Sequence, residues 1–293
     1  MTAPAHLTYV YAVVGDTGRV RTAVEGVHGV SGTTVSLLDE ERAEEASAEG
    51  AEPPHRLAFV VSRVAADEFD ERTLKARFED MEWLEGIARA HHEVVQSLSR
   101  AGAVLPLRLA TLYQDDRSAR EALAVQRALF AARIALLRDR SEWGVKLYIG
   151  PTEPTEPAEG RTAEPRGSAG TASPGKAYLR HRRAQHHARE DHYRNAQEAA
   201  QRIDTLVSRF GTHRVRHPAQ RGALAGPEEN VLNDAYLVPD DLTEDFRAAL
   251  AAVATDLDGV RVEVTGPWAP YSFAMPPPPP EPPREDPAGD GPA

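Results

Sequence analysis

The chain contains no cysteine, and this absence excludes several kinds of chemistry. Disulfide bonds, thiolate metal sites and cysteine nucleophiles are all impossible without a thiol. A reducing compartment is compatible with such a composition. Long apolar runs are also missing, since no stretch approaches the roughly 20 apolar residues that cross a bilayer. The sequence therefore predicts a protein that does not act in a lipid membrane.

A secretory signal is absent from the first residues. The N-terminal sequence MTAPAHLTYVYAVVGDTG has no basic segment before its short apolar run, and it reaches Asp16 too early for a signal peptide. We therefore expect a soluble protein of the cytoplasm.

Basic residues are fewer than acidic residues in this sequence. The 293 residues include 34 lysines and arginines against 45 aspartates and glutamates, which gives a formal net charge of −11. Binding of nucleic acid through its phosphates requires a basic surface, so the composition predicts no nucleic-acid partner. An acidic surface instead favours solubility and partners that are basic or apolar.

The motifs that cradle phosphates or activate a nucleophile are absent as well. No GxxxxGK[ST] loop occurs, no GxGxxG follows a predicted strand, and no GxSxG elbow is found. The sequence therefore predicts neither a cofactor nor a catalytic residue.

The first half of the chain alternates strand and helix patterns. Strands are predicted at 8–14, 30–38, 57–64 and 103–113, and helices at 81–98 and 116–138. The run at 57–64 is apolar enough to be covered on both faces, whereas Pro106 indicates an edge position or a bend because proline cannot donate to a sheet ladder. The acidic, alanine-rich stretch at 39–52 is interpreted as a solvated loop or an exposed helical turn.

The second half is predicted to follow the order strand, helix, strand, strand, helix, strand. Its located elements are strands at 142–149, 231–238 and 260–265 and helices at 175–209 and 241–257, the last capped by Asp241 or Thr243 and followed by Gly259. This is the order of the ferredoxin-like βαββαβ arrangement. Residues 151–174 have no apolar periodicity and indicate a flexible insertion.

The overall prediction is an α+β protein of two domains, since 293 residues exceed one ordinary core. The N-terminal mixed α/β domain spans 1–140. The ferredoxin-like domain spans 141–274 and contains the disordered insertion. The proline-rich, acidic tail at 275–293 is predicted to be disordered or extended.

Four histidines, His181, His186, His187 and His192, make the helix at 175–209 a candidate metal site. The spacing fits poorly, because His187 and His192 are five residues apart and do not stack on one helix face. Neighbouring arginines would also repel a cation. A solvated basic face, which could contact an acidic partner, is the alternative interpretation.

A second histidine group, His91-His92-Glu93, suggests a general base but lacks the second histidine of the HExxH motif. His91 follows Leu84 by seven residues. A partly buried histidine on a packed helix is therefore the simpler interpretation.

Four segments, read together, resemble the GvpF/GvpL family of gas vesicle proteins. They are TYVYAVV at 8–14, FEDMEWLEGIARAHHEVV at 78–95, VLPLRLATLY at 104–113 and EWGVKLYI at 142–149. The segment GKAYL at 175–179 continues the match, and the similarity extends to about Phe273. The insertion and the proline-rich tail depart from it in composition.

The resemblance implies a two-domain accessory protein with a ferredoxin-like second domain and no catalytic residues. Proteins of this family are required for forming the gas-filled organelle, contact the small hydrophobic shell protein GvpA and other accessory proteins, and in some cases lie on the gas-facing side of the wall. Self-association is left open. The matching positions are candidates for fold or partner contact: Trp83, His91, Glu93, Pro106, Arg108, Glu142, Trp143, Gly144 and Lys146.

Several of these candidates have a structural interpretation. Trp83 and Trp143 suit core anchors as well as interface positions, because large rings bury much apolar area. Gly144 indicates a bulge or a close backbone approach. Arg108 points away from the face of its neighbouring leucines and, if buried, needs a carboxylate such as Glu93 or Glu142.

The preferred hypothesis is an assembly adaptor that holds an aggregation-prone shell subunit in soluble form or seeds its ordered addition. A metal-dependent enzyme or regulator that uses the helix at 181–192 is the alternative. A persistent structural component of the vesicle wall is a third class.

Overall fold

The structure is a computed structural model that describes residues 6–39, 56–150, 174–220 and 228–274. The predicted insertion at 151–174 lies outside the described residues except for Pro174, and most of the acidic stretch at 39–52 and the whole tail at 275–293 lie outside them as well. The described part is a mixed α+β structure with two antiparallel sheets.

The first sheet contains four antiparallel strands in the order β2-β3-β1-β4. Their bounds are His6–Gly15 (β1), Ser36–Asp39 (β2), Leu57–Ala65 (β3) and Val104–Tyr113 (β4). The two central strands are β1 and β3, and both are buried on both faces, as the unbroken apolar run of β3 predicts. Pro106 lies in the edge strand β4, beside a register shift, so the prediction from proline is confirmed.

Six helices accompany this sheet: Gly18–Val24 (α1), Ala66–Phe69 (α2), Glu71–Arg77 (α3), Met81–Ser99 (α4), Asp116–Val125 (α5) and Arg127–Leu137 (α6). The single helix predicted at 116–138 is wrong, because the chain breaks at Gln126 (φ −97°, ψ 7°). The break turns Leu123 of α5 and Phe130 of α6 toward one core cluster. Tertiary packing therefore determines where the helix breaks. The spacing of apolar residues in the sequence does not reveal that position.

The second sheet has the order β6-β7-β5-β8, again with antiparallel neighbours. Its elements in chain order are Arg140–Ile149 (β5), Pro174–Val207 (α7), His213–Arg216 (β6), Glu229–Pro239 (β7), Thr243–Ala251 (α8) and Val260–Trp268 (β8). The predicted order of strands and helices is observed. The sequence did not locate β6, whose four residues are too short to show an alternating pattern.

Helix α8 is shorter than the predicted helix at 241–257. It ends at Ala251, eight residues before Gly259, and its N-cap is Leu242 without a side-chain hydrogen bond. The expected cap by Asp241 or Thr243 is therefore wrong. A 3₁₀ turn at Asp240–Leu242 precedes the helix and takes the place of a side-chain cap.

The cores of the two sheets are joined. Helix α4 covers one face of the first sheet, and α5 and α6 cover the other. Ala235 and Leu237 of β7 belong to the same cluster as α5 and α6, while Tyr236 and Val238 face α7 and α8. Side chains on one face of the second sheet therefore belong to the hydrophobic core that α5 and α6 form with the first sheet. Among the described helices, none is long and apolar enough to span a membrane.

Candidate functional site

The chain after β8 returns to the first sheet as a short segment, residues 269–274, which we call the C-terminal strap. Ala269 is buried against the α4 side of the first sheet, and Phe273 and Ala274 are buried in the cluster on its other side. The Ala269 N–H donates to Oε1 of Gln96 on α4 over 3.1 Å. The strap therefore connects the second half of the chain to both faces of the first sheet.

Glu142 on β5 anchors the middle of the strap. Its side chain is 9% exposed, Oε2 accepts from the N–H of Ser272 at 2.9 Å, and Oε1 accepts from the Ser272 hydroxyl at 2.7 Å. Burial raises the pKa of the Glu142 carboxyl, while the hydrogen bonds from Ser272 and the nearby charge of His217 act in the opposite direction. Two donors satisfy this buried carboxyl, so it fixes the position of the strap.

A serine, a histidine and a carboxylate meet here, but in an order that does not activate the serine. The Ser272 Oγ lies 3.0 Å from Nε2 of His217 and donates its proton to Glu142. In a nucleophilic triad the imidazole accepts the serine proton, and the carboxylate holds the other ring nitrogen. With Ser272 donating to Glu142, the His217 Nε2–H must donate to Ser272. This set of hydrogen bonds holds the strap in position.

His91 on α4 is buried and bonded to Tyr9 of β1. Its Nδ1 lies 2.9 Å from the Tyr9 hydroxyl, which also accepts from the N–H of Ala110 at 3.1 Å. Which of the two groups donates depends on the tautomer of the imidazole, since the hydroxyl can donate one hydrogen bond and accept two. Burial lowers the pKa of His91 to about 4, while a hydrogen bond with the backbone of Leu107 acts in the opposite direction. The imidazole is neutral at pH 7.

The depressed pKa of His91 predicts loss of stability in mild acid. The folded-state pKa lies below the unfolded value of 6.5, so stability is fully present above pH 6.5 and is lost as the pH falls toward 4. Linkage predicts a loss of about 2 kcal/mol from this group between pH 7 and pH 5. Urea unfolding of wild type and of His91→Phe at both pH values measures it. Equal pH dependence in the two proteins would show that His91 does not contribute.

A departure of β4 from regular pairing exposes Arg108. The partners of β4 shift from Ala12–Pro106 to Val10–Thr111, which lifts residues 107–110 out of the ladder. Ala110 takes a positive φ of 58°, and the Thr111 hydroxyl donates to the Arg108 carbonyl at 2.7 Å. Bulges of this kind re-aim side chains. The guanidinium of Arg108 is exposed as a result.

The suggested tether from Arg108 to a carboxylate is wrong. Glu142 accepts from Ser272 instead, and Glu93 is exposed on α4. In the part of the chain that the structure describes, no ion pair joins Arg108 to either residue. An exposed guanidinium needs no buried counterion, which removes the physical reason for the tether.

Trp143 and Gly144 pack against the end of β8. The Trp143 ring is 2% exposed and lies in the core beneath α7 and α8, so it is a core anchor. A Cβ on Gly144 would lie 2.7 Å from Oγ1 of Thr265, and one on Gly266 (φ 139°) would lie 2.9 Å from the Glu142 carbonyl oxygen. The close approach indicated by Gly144 is thus present, and the register shift lies opposite it in β8.

Trp83 and Lys146 are half-buried. The Trp83 ring lies 6.1 Å from that of Phe69 and 6.2 Å from that of Phe78, with the guanidinium of Arg77 5.5 Å above it. The Lys146 Nζ donates to Oε1 of Gln220 at 3.3 Å. Of the nine candidates, only Glu93 and Arg108 have exposed side chains.

The histidines of α7 do not form a metal site in the described residues. His186 and His187 both approach Glu190, at 3.4 and 3.3 Å, on an exposed part of the helix. His192 instead packs on Gly259. No group of three potential ligands occurs within the ranges that the structure describes, where the side chain of His181 is not included.

Sequence reasoning missed the partners of the buried candidates. Glu142 and Ser272 are 130 residues apart, and His91 and Tyr9 are 82 apart. Neither pair shows a periodic or spaced motif, because sheet topology and the strap bring them together. Glu142 itself is in phase with Gly144 and Lys146 on the polar side of the alternating strand, so the sequence pattern gave no signal of its burial.

The described residues form a mixed α+β protein in which the strap and its buried polar groups hold the chain's own elements together. A family model described as "Gas vesicle synthesis protein GvpL/GvpF" matches residues 7–275. The chain therefore belongs to the GvpL/GvpF family of gas vesicle proteins.

Among the relatives, the chain is similar to "Gas vesicle protein L" of Streptomyces sp. (strain CB03234), with 38% identity over 269 residues that cover 92% of each chain. It is also similar in fold to the crystal structure of gas vesicle protein GvpF from Anabaena sp. PCC7120. That likeness has a TM-score of 0.57 and 15% identity, and it covers 92% of this chain and 96% of the other. The GvpF structure from Microcystis aeruginosa gives a TM-score of 0.55 at 15% identity, over 92% and 99% of the two chains.

Proposed function

We propose that this protein is a non-catalytic accessory protein of gas vesicle assembly that binds the shell protein or other accessory proteins. The observation that carries the proposal is the family match over residues 7–275, which spans the described structure to its end. The Ser272, His217 and Glu142 group supports a non-catalytic role, because the serine donates to the carboxylate.

The physical task of such a protein is to cover surfaces that aggregate. A shell subunit rich in apolar faces and exposed sheet edges self-associates unless those surfaces are paired or covered. A chain with a net charge of −11 remains in solution while it covers them. We infer that it acts in the cytoplasm on the growing vesicle and faces the gas side where it stays in the wall.

The architecture supports a finer description of the fold. We infer that residues 141–274 form a ferredoxin-like unit, because the order β5-α7-β6-β7-α8-β8 and the sheet order β6-β7-β5-β8 fit that arrangement. Residues 1–140 then form the N-terminal α+β domain. The shared cluster and the strap hold these two domains together.

Arg108 offers a way to test the function through one exposed contact. The bulge presents its guanidinium at the sheet edge, where a partner strand or loop has access. Arg108→Glu is expected to reduce retention of vesicle proteins in a co-expression pull-down about tenfold, because reversal places a like charge against an acidic partner group. Arg209→Glu makes the same charge change at an exposed arginine on the second half and is expected to leave retention unchanged.

The pull-down tests the proposed function and the Arg108 contact separately. If the wild-type protein retains neither the shell protein nor any accessory protein, the proposed function is wrong. If both variants retain partners as wild type does, Arg108 is not a contact, and the proposed function stands on the wild-type result alone.

A further inference from the structure

A groove lies between the two halves of the molecule. Its main part is a cleft of about 530 Å³. One wall is the end of α4 and the turn at 99–104, and the other is the start of β5 with residues 267–270. A hollow of about 480 Å³ against α1 shares Arg19, Arg100 and Ala101 with the cleft and so extends it.

Positive charge is concentrated at one end of this groove. Arg19 and Arg100 line both parts, and no carboxylate lines the hollow against α1. Within the described ranges, neither arginine forms an ion pair. The carboxylates of Asp139 and Asp240 lie toward β5, where Asp240 already accepts from the Ser141 hydroxyl at 2.6 Å. Two guanidiniums without a counterion among the described residues are uncommon in a chain of net charge −11.

The β5 end of the groove carries apolar groups beside these charged ones. Trp268 is 45% exposed and lines the cleft together with Pro267, Pro270 and Leu137. Tryptophan and arginine are enriched among the residues that carry most of the binding energy at protein interfaces. The cleft volume falls within the range of small-ligand sites, and the hollow lengthens it beyond a compact pocket.

We propose that this groove binds an acidic peptide segment of a partner protein. Its carboxylates pair with Arg19 and Arg100, since guanidinium groups bind carboxylates in bidentate fashion. An apolar side chain of the same segment packs on Trp268. The proposal rests on the proposed function and names the chemistry of one partner, and it assigns a separate surface from the sheet edge at Arg108.

The peptide interaction is measured on the purified full chain by fluorescence anisotropy. The probe is a short labelled peptide of glutamate and leucine, and its control replaces every glutamate with glutamine. Arg19→Glu with Arg100→Glu is expected to weaken binding of the probe at least about tenfold, because the carboxylates then face like charges. Arg182→Glu with Arg183→Glu makes the same charge change on the exposed part of α7 and is expected to leave binding unchanged.

The groove assignment is overturned if the two double variants weaken binding equally, since the effect is then one of net charge. It is also overturned if the glutamine peptide binds as well as the probe, or if pyrophosphate binds wild type where the probe does not. A pull-down distinguishes failure of the groove assignment from failure of the proposed function. Retention of vesicle proteins by wild type and equally by the Arg19/Arg100 variant overturns the groove alone, while circular dichroism of each variant verifies its fold.

Discussion

Gly29→Ala is expected to lower the free energy of unfolding by about 3 to 4 kcal/mol, through overpacking and the loss of buried hydrogen bonds. A Cβ at this position would lie 1.9 Å from the Tyr11 hydroxyl oxygen and 2.6 Å from Cζ of its ring. The ring is completely buried and cannot move away freely. Its hydroxyl accepts from the Val30 N–H at 2.9 Å and donates to the Ser62 Oγ at 3.0 Å. Any shift that admits the methyl group breaks these bonds.

A second glycine provides the matched control. Gly86 is exposed in the interior of α4, and a Cβ there would meet nothing within 4 Å. Gly86→Ala is therefore expected to raise the free energy of unfolding by about 0.5 to 1 kcal/mol, because alanine restricts the unfolded chain and favours the helix. Urea unfolding at pH 7 measures both variants. A Gly29→Ala protein as stable as wild type would mean that the Tyr11 ring is not confined as described.

Glu142→Ala is expected to cost about 3 kcal/mol of stability, because it leaves the N–H and hydroxyl of Ser272 without their acceptor and opens a cavity. The strap should then exchange its amide hydrogens faster at residues 269–274, while the amides of β1 and β3 change less. Hydrogen exchange measured by mass spectrometry gives the exchange rates of the strap and of β1 and β3. Glu85→Ala, which removes an exposed carboxylate paired with Arg89, is expected to change stability by less than about 0.5 kcal/mol.

The protonation of Glu142 gives this prediction a pH signature. Burial raises the folded-state pKa of Glu142 above its unfolded value, so the proton-linked part of its contribution to stability is fully present below the unfolded pKa and is lost as the pH rises through the folded pKa. Glu142→Gln keeps one acceptor and cannot titrate, so it removes this part of the pH dependence. If the glutamine variant keeps the wild-type pH profile and the alanine variant keeps slow exchange in the strap, the anchoring role is wrong.

Strong local patterns made much of the first half predictable. The strand at 8–14 and the helix at 81–98 were placed within two residues of β1 and α4, because β-branched runs and helical apolar spacing are strong signals. Pro106 indicated an edge because its missing N–H is a local chemical fact. Such features depend on neighbours in the sequence alone.

Features set by tertiary contact were not predictable in this way. The break at Gln126 follows from packing two short helices on one cluster, and no glycine or proline marks it. The tether assigned to Arg108 assumed burial, which the bulge in β4 prevents. His91 and Glu142 were recognised as candidates, but their hydrogen-bond partners lie across sheets and could not be read from spacing.

The strap makes completion of the first sheet's packing depend on synthesis of residues 269–274. Ala269, Phe273 and Ala274 are among the last described residues made, yet they fill gaps on both faces of a sheet whose own strands end at Tyr113. At translation rates of about 5 to 20 residues per second, the ribosome needs roughly 8 to 30 seconds to make the intervening chain. During that interval the nascent first sheet carries uncovered apolar surface. A prematurely terminated chain would retain that surface permanently, which marks it for capture by chaperones and proteases.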